Sequence, residues 1–289
     1  MIIYIIRKGT ESLLSRQRKT PSIWAAAVLA AMFVFGARDS LADSIRISGT
    51  GGAMETVRIL AEGFRKTNPD VQIVFPPVMG SSGSIRATIA GRLDIGLSAR
   101  PLMDEERVSG VVETPYARTP FVFGVNRSVK RTGLTRAAVA AIYAGKQGRW
   151  QDGSRIRLVL RPPNDSDIFV LKNISPEMKA AVEVALHRDG MLVAQTDLDA
   201  ADAIERVPGA FGGITLAMIV SEKRNIRVLA LNGIVPGLRT LADGKYPCSK
   251  TFFMVTKKDP SAEVRRFIDF VRSPAGTAIL VKNGQSAVP

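Results

Sequence analysis

The chain has 289 residues, 46% of them hydrophobic, enough to bury a core of ordinary size or two compact lobes, which excludes a disordered chain. Forty basic against 26 acidic residues give a formal charge of +14, a balance that suits nucleic acid, anionic lipid or a small anionic ligand. The basic residues form no dense run and aromatics are only 6% of the chain, so the Lys/Arg cluster and stacking platform of a nucleic-acid binder are missing.

The first elements are a leader. Arg7, Lys8, Arg16, Arg18 and Lys19 precede the apolar run IWAAAVLAAMFVFGA, and Ser40-Leu41-Ala42 places small residues three before and immediately before a cleavage point. The run is about fifteen residues, short of the roughly twenty that span a bilayer, so residues 1–42 read as a signal peptide cleaved after Ala42, with export to the periplasm. Its loss removes six basic and two acidic residues and leaves a mature charge of +10. Cys248 is the only cysteine, so no intramolecular disulfide forms even in an oxidising compartment, and it reads as a packing residue.

Beyond the leader, periods of two and about 3.6 alternate, the pattern of an α/β protein. IRIS at 45–48 is a strand. Met54, Val57, Leu60, Ala61 and Phe64 then recur at helical spacing until Asn68-Pro69. Val71, Ile73 and Phe75 share one face of the next strand; the turn GSSGS at 80–84 leads into a short helix with Ile85 and Ile89 on one side, and LDIGLSA is a third strand. Strand, polar glycine-rich turn and helix thus occur twice, and both turns fall at carboxyl ends of parallel strands, where open α/β sheets bind ligands.

PFVFGVN at 120–126 is a strand into a new segment. Thr135 caps a helix carrying Val139, Ile142 and Tyr143 that Gly145 ends. IRLVLR at 156–161 is a strand ending in arginine, and Ser175-Pro176-Glu177 opens another helix. IRVLAL at 226–231 and TFFMVTK at 251–257 are strands, followed by an amphipathic helix with Val264, Phe267, Ile268 and Val271. With no linker, two lobes joined by strands that cross between them are expected.

The turns carry the chemistry. N–H groups in the first turn of a helix lack internal partners and sit at the positive end of the peptide dipoles, serine hydroxyls add uncharged donors, and glycine lets the backbone close around an oxyanion. SGTGGA and GSSGS both have this composition. Gly49-x-Gly51-x-x-Met54 lacks the third glycine of a dinucleotide fingerprint, and no G-x-x-x-x-G-K-[ST] occurs. His187 sits at a helix end with no candidate partner for catalysis, Asp94 ends a helix–strand connection, and Trp150 and Tyr246 read as packing residues.

From about Ser44 to Pro289 the chain resembles the periplasmic phosphate-binding proteins of ABC importers, which have the type II solute-binding fold. The carrying segments are SGTGGAMETVRILAEGFRKTNPDVQIVF, GSSGSIRATIAGRLDIGLSARPLMDEE, LTRAAVAAIYAGKQGRWQDG, VPGAFGGITLA and DGKYPCSKTFFMVTK. The resemblance implies two α/β lobes around a ligand cleft with a strand hinge, the first from 44–121 plus 229–289 and the second from 122–228. It implies no enzymatic activity and no cofactor. Phosphate or a similar small oxyanion is the implied ligand, and an ABC permease the implied partner.

Carried over position by position, the resemblance places anion contacts at Gly52, Ala53 and Met54, where Ala53 replaces the usual hydroxyl residue and Thr50 stands nearby as a substitute. Ser81, Ser82 and Gly83 form the second turn. Ser98 and Arg100 end the third strand, and Arg100 offers a forked donor. In the second lobe Arg161 matches an expected arginine. Asp165, Ser166 and Asp167 stand where a Ser-Gly-Thr turn is expected, so of these only Ser166 can donate. Two carboxylates there would repel a dianion unless protonated, paired or turned away, which keeps open a ligand-sensing or protein-interaction module on the same fold with a degenerate anion site.

Overall fold

The computed structural model describes residues 44–288, so the expected signal peptide and its cleavage point lie outside the described residues. The first half opens with β1 (Ser44–Gly49), α1 (Gly51–Arg65), β2 (Gln72–Val74), α2 (Gly80–Ile89), β3 (Ile95–Ser98) and the single turn α3 (Asp104–Arg107). The long β4 (Val111–Val125) leads to β5 (Gly133–Leu134), α4 (Arg136–Tyr143), β6 (Arg157–Leu160), α5 (Ser166–Lys172), α6 (Pro176–Leu186), β7 (Leu192–Val193), α7 (Asp197–Arg206), β8 (Ala210–Thr215) and α8 (Leu216–Ser221). The chain closes with β9 (Arg227–Val228), β10 (Ala230–Leu231), α9 (Leu238–Ala242), β11 (Ser249–Lys257), α10 (Ala262–Arg272), α11 (Pro274–Lys282) and β12 (Ser286–Ala287).

The two strand–turn–helix units are present. β1 lies between β2 and β3 and is parallel to both. The five apolar residues at helical spacing in α1 are all buried, and Phe64 packs edge-on against Phe267 and Phe270 of α10. Gly49 is fixed by a close approach: a β-carbon there would lie 2.0 Å from the Leu97 carbonyl oxygen of β3. GSSGS is not a turn before a helix, as expected, but the first turn of α2 itself.

The sheet runs β2-β1-β3-β11-β4-β8-β6-β7. β4 spans it as a crossing strand: residues 111–120 pair antiparallel with β11, and Phe121–Val125 pair antiparallel with β8. The strand expected at 120–126 therefore begins at Val111. Pro115 and Pro120 mask it in the sequence, and Pro115 sits where the register shifts, Phe252 facing Ala117 and Phe253 facing Pro115, a bulge that tolerates the missing N–H. The strand expected at 226–231 is two short pieces, β9 on β4 and β10 on β5.

Two cores flank the crossing. Residues between Ile45 and Ala117 contribute to one together with Ala217, Phe252, Met254, Val264, Phe267 and Leu280, and Ile85, Leu102, Val111 and Val255 form a small cluster of their own. The other gathers Phe121–Ile226 and also Leu229, Leu231, Tyr246 and Cys248. The packing therefore does not change hands at 229 but near Cys248, where Phe121 N–H donates to the Cys248 carbonyl at 3.0 Å and Ser249 pairs with Pro120. Chain crossings at Pro120–Phe121 and Cys248–Ser249 lie side by side, the geometry of a two-strand hinge between two α/β lobes.

Trp150 and Tyr246 are buried in the second core, with the Tyr246 hydroxyl donating to the Phe121 carbonyl. His187 follows the last residue of α6, and its Nδ1 lies 2.8 Å from the Glu183 carbonyl. Asp94 anchors β1, accepting from Arg46 N–H and Nε.

Candidate functional site

Thr50 follows β1 and is the N-cap of α1, yet its side chain makes no cap bond to its own helix, and the first turn of α1 has no acidic residue. The donors left over point across to the other lobe. One carboxylate oxygen of Asp197, the first residue of α7, accepts from the Thr50 hydroxyl at 2.9 Å and from Gly52 N–H at 3.1 Å. Gly51 admits this approach, because a β-carbon there would stand 3.0 Å from Asp197 Cβ.

Arg161 follows β6 and is buried, its side chain 6% exposed. It donates to the Ala194 carbonyl at 3.0 Å and to Asp165 at 2.7 Å, and Nη2 lies 3.6 Å from Asp197 Oδ1. Its Nε is 3.8 Å from Asp167 and has no hydrogen-bond partner among the described residues. Lys250 of β11 donates its Nζ proton to Asp167, beneath the Phe121 ring at 5.9 Å. Asp165 caps α5 by accepting from Asp167 N–H at 2.8 Å. Two cations and three carboxylates therefore meet where the carboxyl ends of β1 and β6 and the start of β11 converge.

Burial pushes the Asp167 carboxyl up to about 6, opposed by Lys250 and reinforced by Asp165 and Asp197. Burial also acts to raise Asp197, but Lys250 and Arg161 outweigh it, helped by the bonds from Thr50 and Gly52, and hold this carboxyl below the usual range. Desolvation would lower Lys250, and its three aspartates reverse that and keep it charged.

The second expected turn has bonds of its own. Ser81 Oγ accepts from Ala99 N–H at 2.9 Å, and the Ser98 hydroxyl donates to the Arg100 carbonyl at 2.6 Å. Arg100 was expected to offer its fork to an oxyanion ligand; both terminal nitrogens bond the Glu106 carboxylate at 2.7 Å, Nη2 also donates to Ser82, and the buried Nε has no hydrogen-bond partner among the described residues. Gly83 packs near Met79. Ala53 and Met54 are buried behind the site, with Ala53 N–H spent on the Thr50 carbonyl. A cavity of ≈ 450 Å³ has Arg100 in its wall together with Ser166 and Ser249, the chain neighbours of Asp167 and Lys250.

Of the expected residues, Thr50, Gly52 and Arg161 meet around Asp197, while Ser81, Ser82, Ser98 and Arg100 are held by bonds among residues 81–106, and Met79 N–H donates to the Gly49 carbonyl next to Thr50. Asp197 and Lys250 escape a reading of the sequence. TDLD at 196–199 carries the signal of a helix start, but only the signal of a capping box on its own helix. Lys250 looks like the polar edge of a strand.

The profile of the PBP superfamily domain matches residues 36–275. The chain belongs to the PBP superfamily. Among curated relatives of this PBP-superfamily chain, the phosphate-binding protein PstS of Borreliella burgdorferi is 24% identical over 253 residues, covering 84% of this chain and 90% of the relative. The Bacillus subtilis PstS is 22% identical over 240 residues, covering 80% and 75%. A Clostridium perfringens protein assigned as a phosphate ABC transporter substrate-binding protein, solved with bound phosphate, superposes with a TM-score of 0.71 at 21% identity, over 86% of this chain and all of that one. An ABC-type phosphate transport receptor of Vibrio cholerae gives 0.61 at 20% identity, over 85% and 100%. The expected type II periplasmic-binding-protein fold with two lobes is the fold of this chain.

Proposed function

We propose that this chain captures phosphate or a similar small oxyanion between its lobes and delivers it, after hinge closure about β4 and β11, to an ABC permease in the inner membrane. The binding groups in this reading are Thr50, Gly52 N–H and Arg161, joined by Lys250 as a second cation. The single observation that carries it is that donors of one lobe and a cation of the other already converge on an oxyanionic group, the Asp197 carboxylate. The phosphate-binding relatives name the anion to try first. Export through the leader would place the protein in the periplasm.

A second reading, a ligand-sensing or protein-interaction module with a degenerate site, is favoured by one feature: Arg100, Arg161 and Lys250 are all paired with the chain's own carboxylates. Calorimetric titration of the mature protein with phosphate, sulfate and molybdate separates the two. Saturable heat with phosphate supports capture, and silence with all three favours the second reading.

A further inference from the structure

We propose that the Asp197 carboxylate is an internal competitor for the anion site, so that a ligand enters by exchanging places with it; this rests on the oxyanion reading above. Asp197 makes the contacts an anion would make at the start of α1: one oxygen takes both the Thr50 hydroxyl and Gly52 N–H, and the other faces Arg161. A carboxylate presented this way satisfies a helix N-terminus as a bound oxyanion would.

Its own helix does not need it. α7 is capped by Thr196 and Asp199, Asp199 N–H donating to the Thr196 hydroxyl at 3.1 Å and Thr196 N–H to the Asp199 carboxylate at 2.9 Å. With both ends of that capping box provided by its neighbours, Asp197 is surplus to α7 and reaches the other lobe instead. Gly51 leaves the room this requires. The contact also ties the lobes, since α1 packs in the first core and α7, through Ala200, Ala201 and Ile204, in the second.

The carboxylate leaves the site less than filled. Arg161 is buried, but its Nε has no acceptor among the described residues and the contact of its Nη2 with Asp197 is long at 3.6 Å. A tetrahedral anion with more oxygens in the same place offers the acceptor that Asp197 does not. Charge sets the terms of exchange. With every group ionised, Arg161 and Lys250 face Asp165, Asp167 and Asp197 for a net −1, so departure of Asp197 leaves neutrality. A singly charged anion restores the same balance, whereas a dianion exceeds it. Asp197 therefore weakens every ligand that must displace it, while Asp165 and Asp167, which stay, disfavour doubly charged ones.

Titration of the wild-type chain, Asp197→Asn and Asp197→Ala with inorganic phosphate, at one pH and one ionic strength, tests the exchange. Both substitutions are expected to tighten binding about tenfold or more, since each removes the competing charge. In the wild type, the carboxyl carbon resonance of Asp197 is expected to move as phosphate saturates the protein. Folded variants that bind phosphate no tighter than a wild type that does bind it overturn the competitor role and leave anion capture standing. If a variant does not fold, an Asp197 resonance that stays in place through saturation overturns it equally. No phosphate binding by any of the three proteins overturns both the exchange and the capture reading.

Discussion

Lys250 donates to Asp167 in the interior, with side chains only 1% and 4% exposed. The pair links β11, a crossing strand, to α5 of the second lobe, so the hinge and the site share an ion pair. Desolvating two such groups offsets much of their attraction, but removing one partner leaves the other charged and buried. Lys250→Met is therefore expected to lower stability by about 3–5 kcal/mol in urea denaturation. The double variant with Asp167→Asn should recover a large part of that loss. A single variant as stable as the wild type would mean the pair is open to water.

The proton on Asp167 predicts a pH dependence. Its carboxyl is pushed up to about 6 by burial, above the value in an unfolded chain, with Lys250, Arg161, Asp165 and Asp197 facing it. The native state then binds this proton more tightly than the unfolded state. The group's contribution to stability is full below the unfolded value near 4 and is lost as pH rises to about 6. Asp197 acts in the opposite sense: its depressed carboxyl contributes stability that is lost only in stronger acid. Urea midpoints measured from pH 4 to 7 should show the Asp167 component, and Asp167→Asn should remove it. Parallel profiles for the two proteins would contradict the assignment.

Local signals carried much of this fold. Thr135 and Ser175 cap α4 and α6 as their positions imply, and the apolar stripes of α1 and α10 bury the residues their spacing selects, Ile268 only in part. What failed to show was long-range. The fifteen-residue β4 is hidden by two prolines that only a bulge and a crossing make acceptable. In the site, Thr50, Gly52 and Arg161 were legible because helix starts and strand ends mark them. Asp197 was not, because its partner lies 147 residues away, and the pairing of Arg100 with Glu106, six residues on, is not marked by any local signal.

Gly49 gives a test of the frame that holds Thr50. A β-carbon would meet the Leu97 carbonyl at 2.0 Å, and neither strand can yield without breaking the β1–β3 pairing. Gly49→Ala is expected to cost about 3 kcal/mol or more, at the upper end for overpacking, because the obstacle is backbone. Thermal or urea denaturation measures it. A loss below about 1 kcal/mol would show that the strands separate easily at this point.

Arg100 decides how far the anion site extends toward the ≈ 450 Å³ cavity. Its guanidinium is held by Glu106 through two bonds of 2.7 Å, and that pairing holds the Glu106 carboxyl below its usual range. Glu106 also accepts from Met103 N–H, so the pair fixes the turn after β3. Arg100→Gln is accordingly expected to lower stability by about 1–3 kcal/mol, the cost of stranding a charged, half-buried acceptor. Phosphate affinity, measured on the folded variant by calorimetry, should change by less than about twofold, because the fork faces Glu106 and not the groups around Asp197. A loss of about tenfold or more, with stability intact, would instead mean that ligand binding draws Arg100 away from Glu106, and the site would then span both clusters.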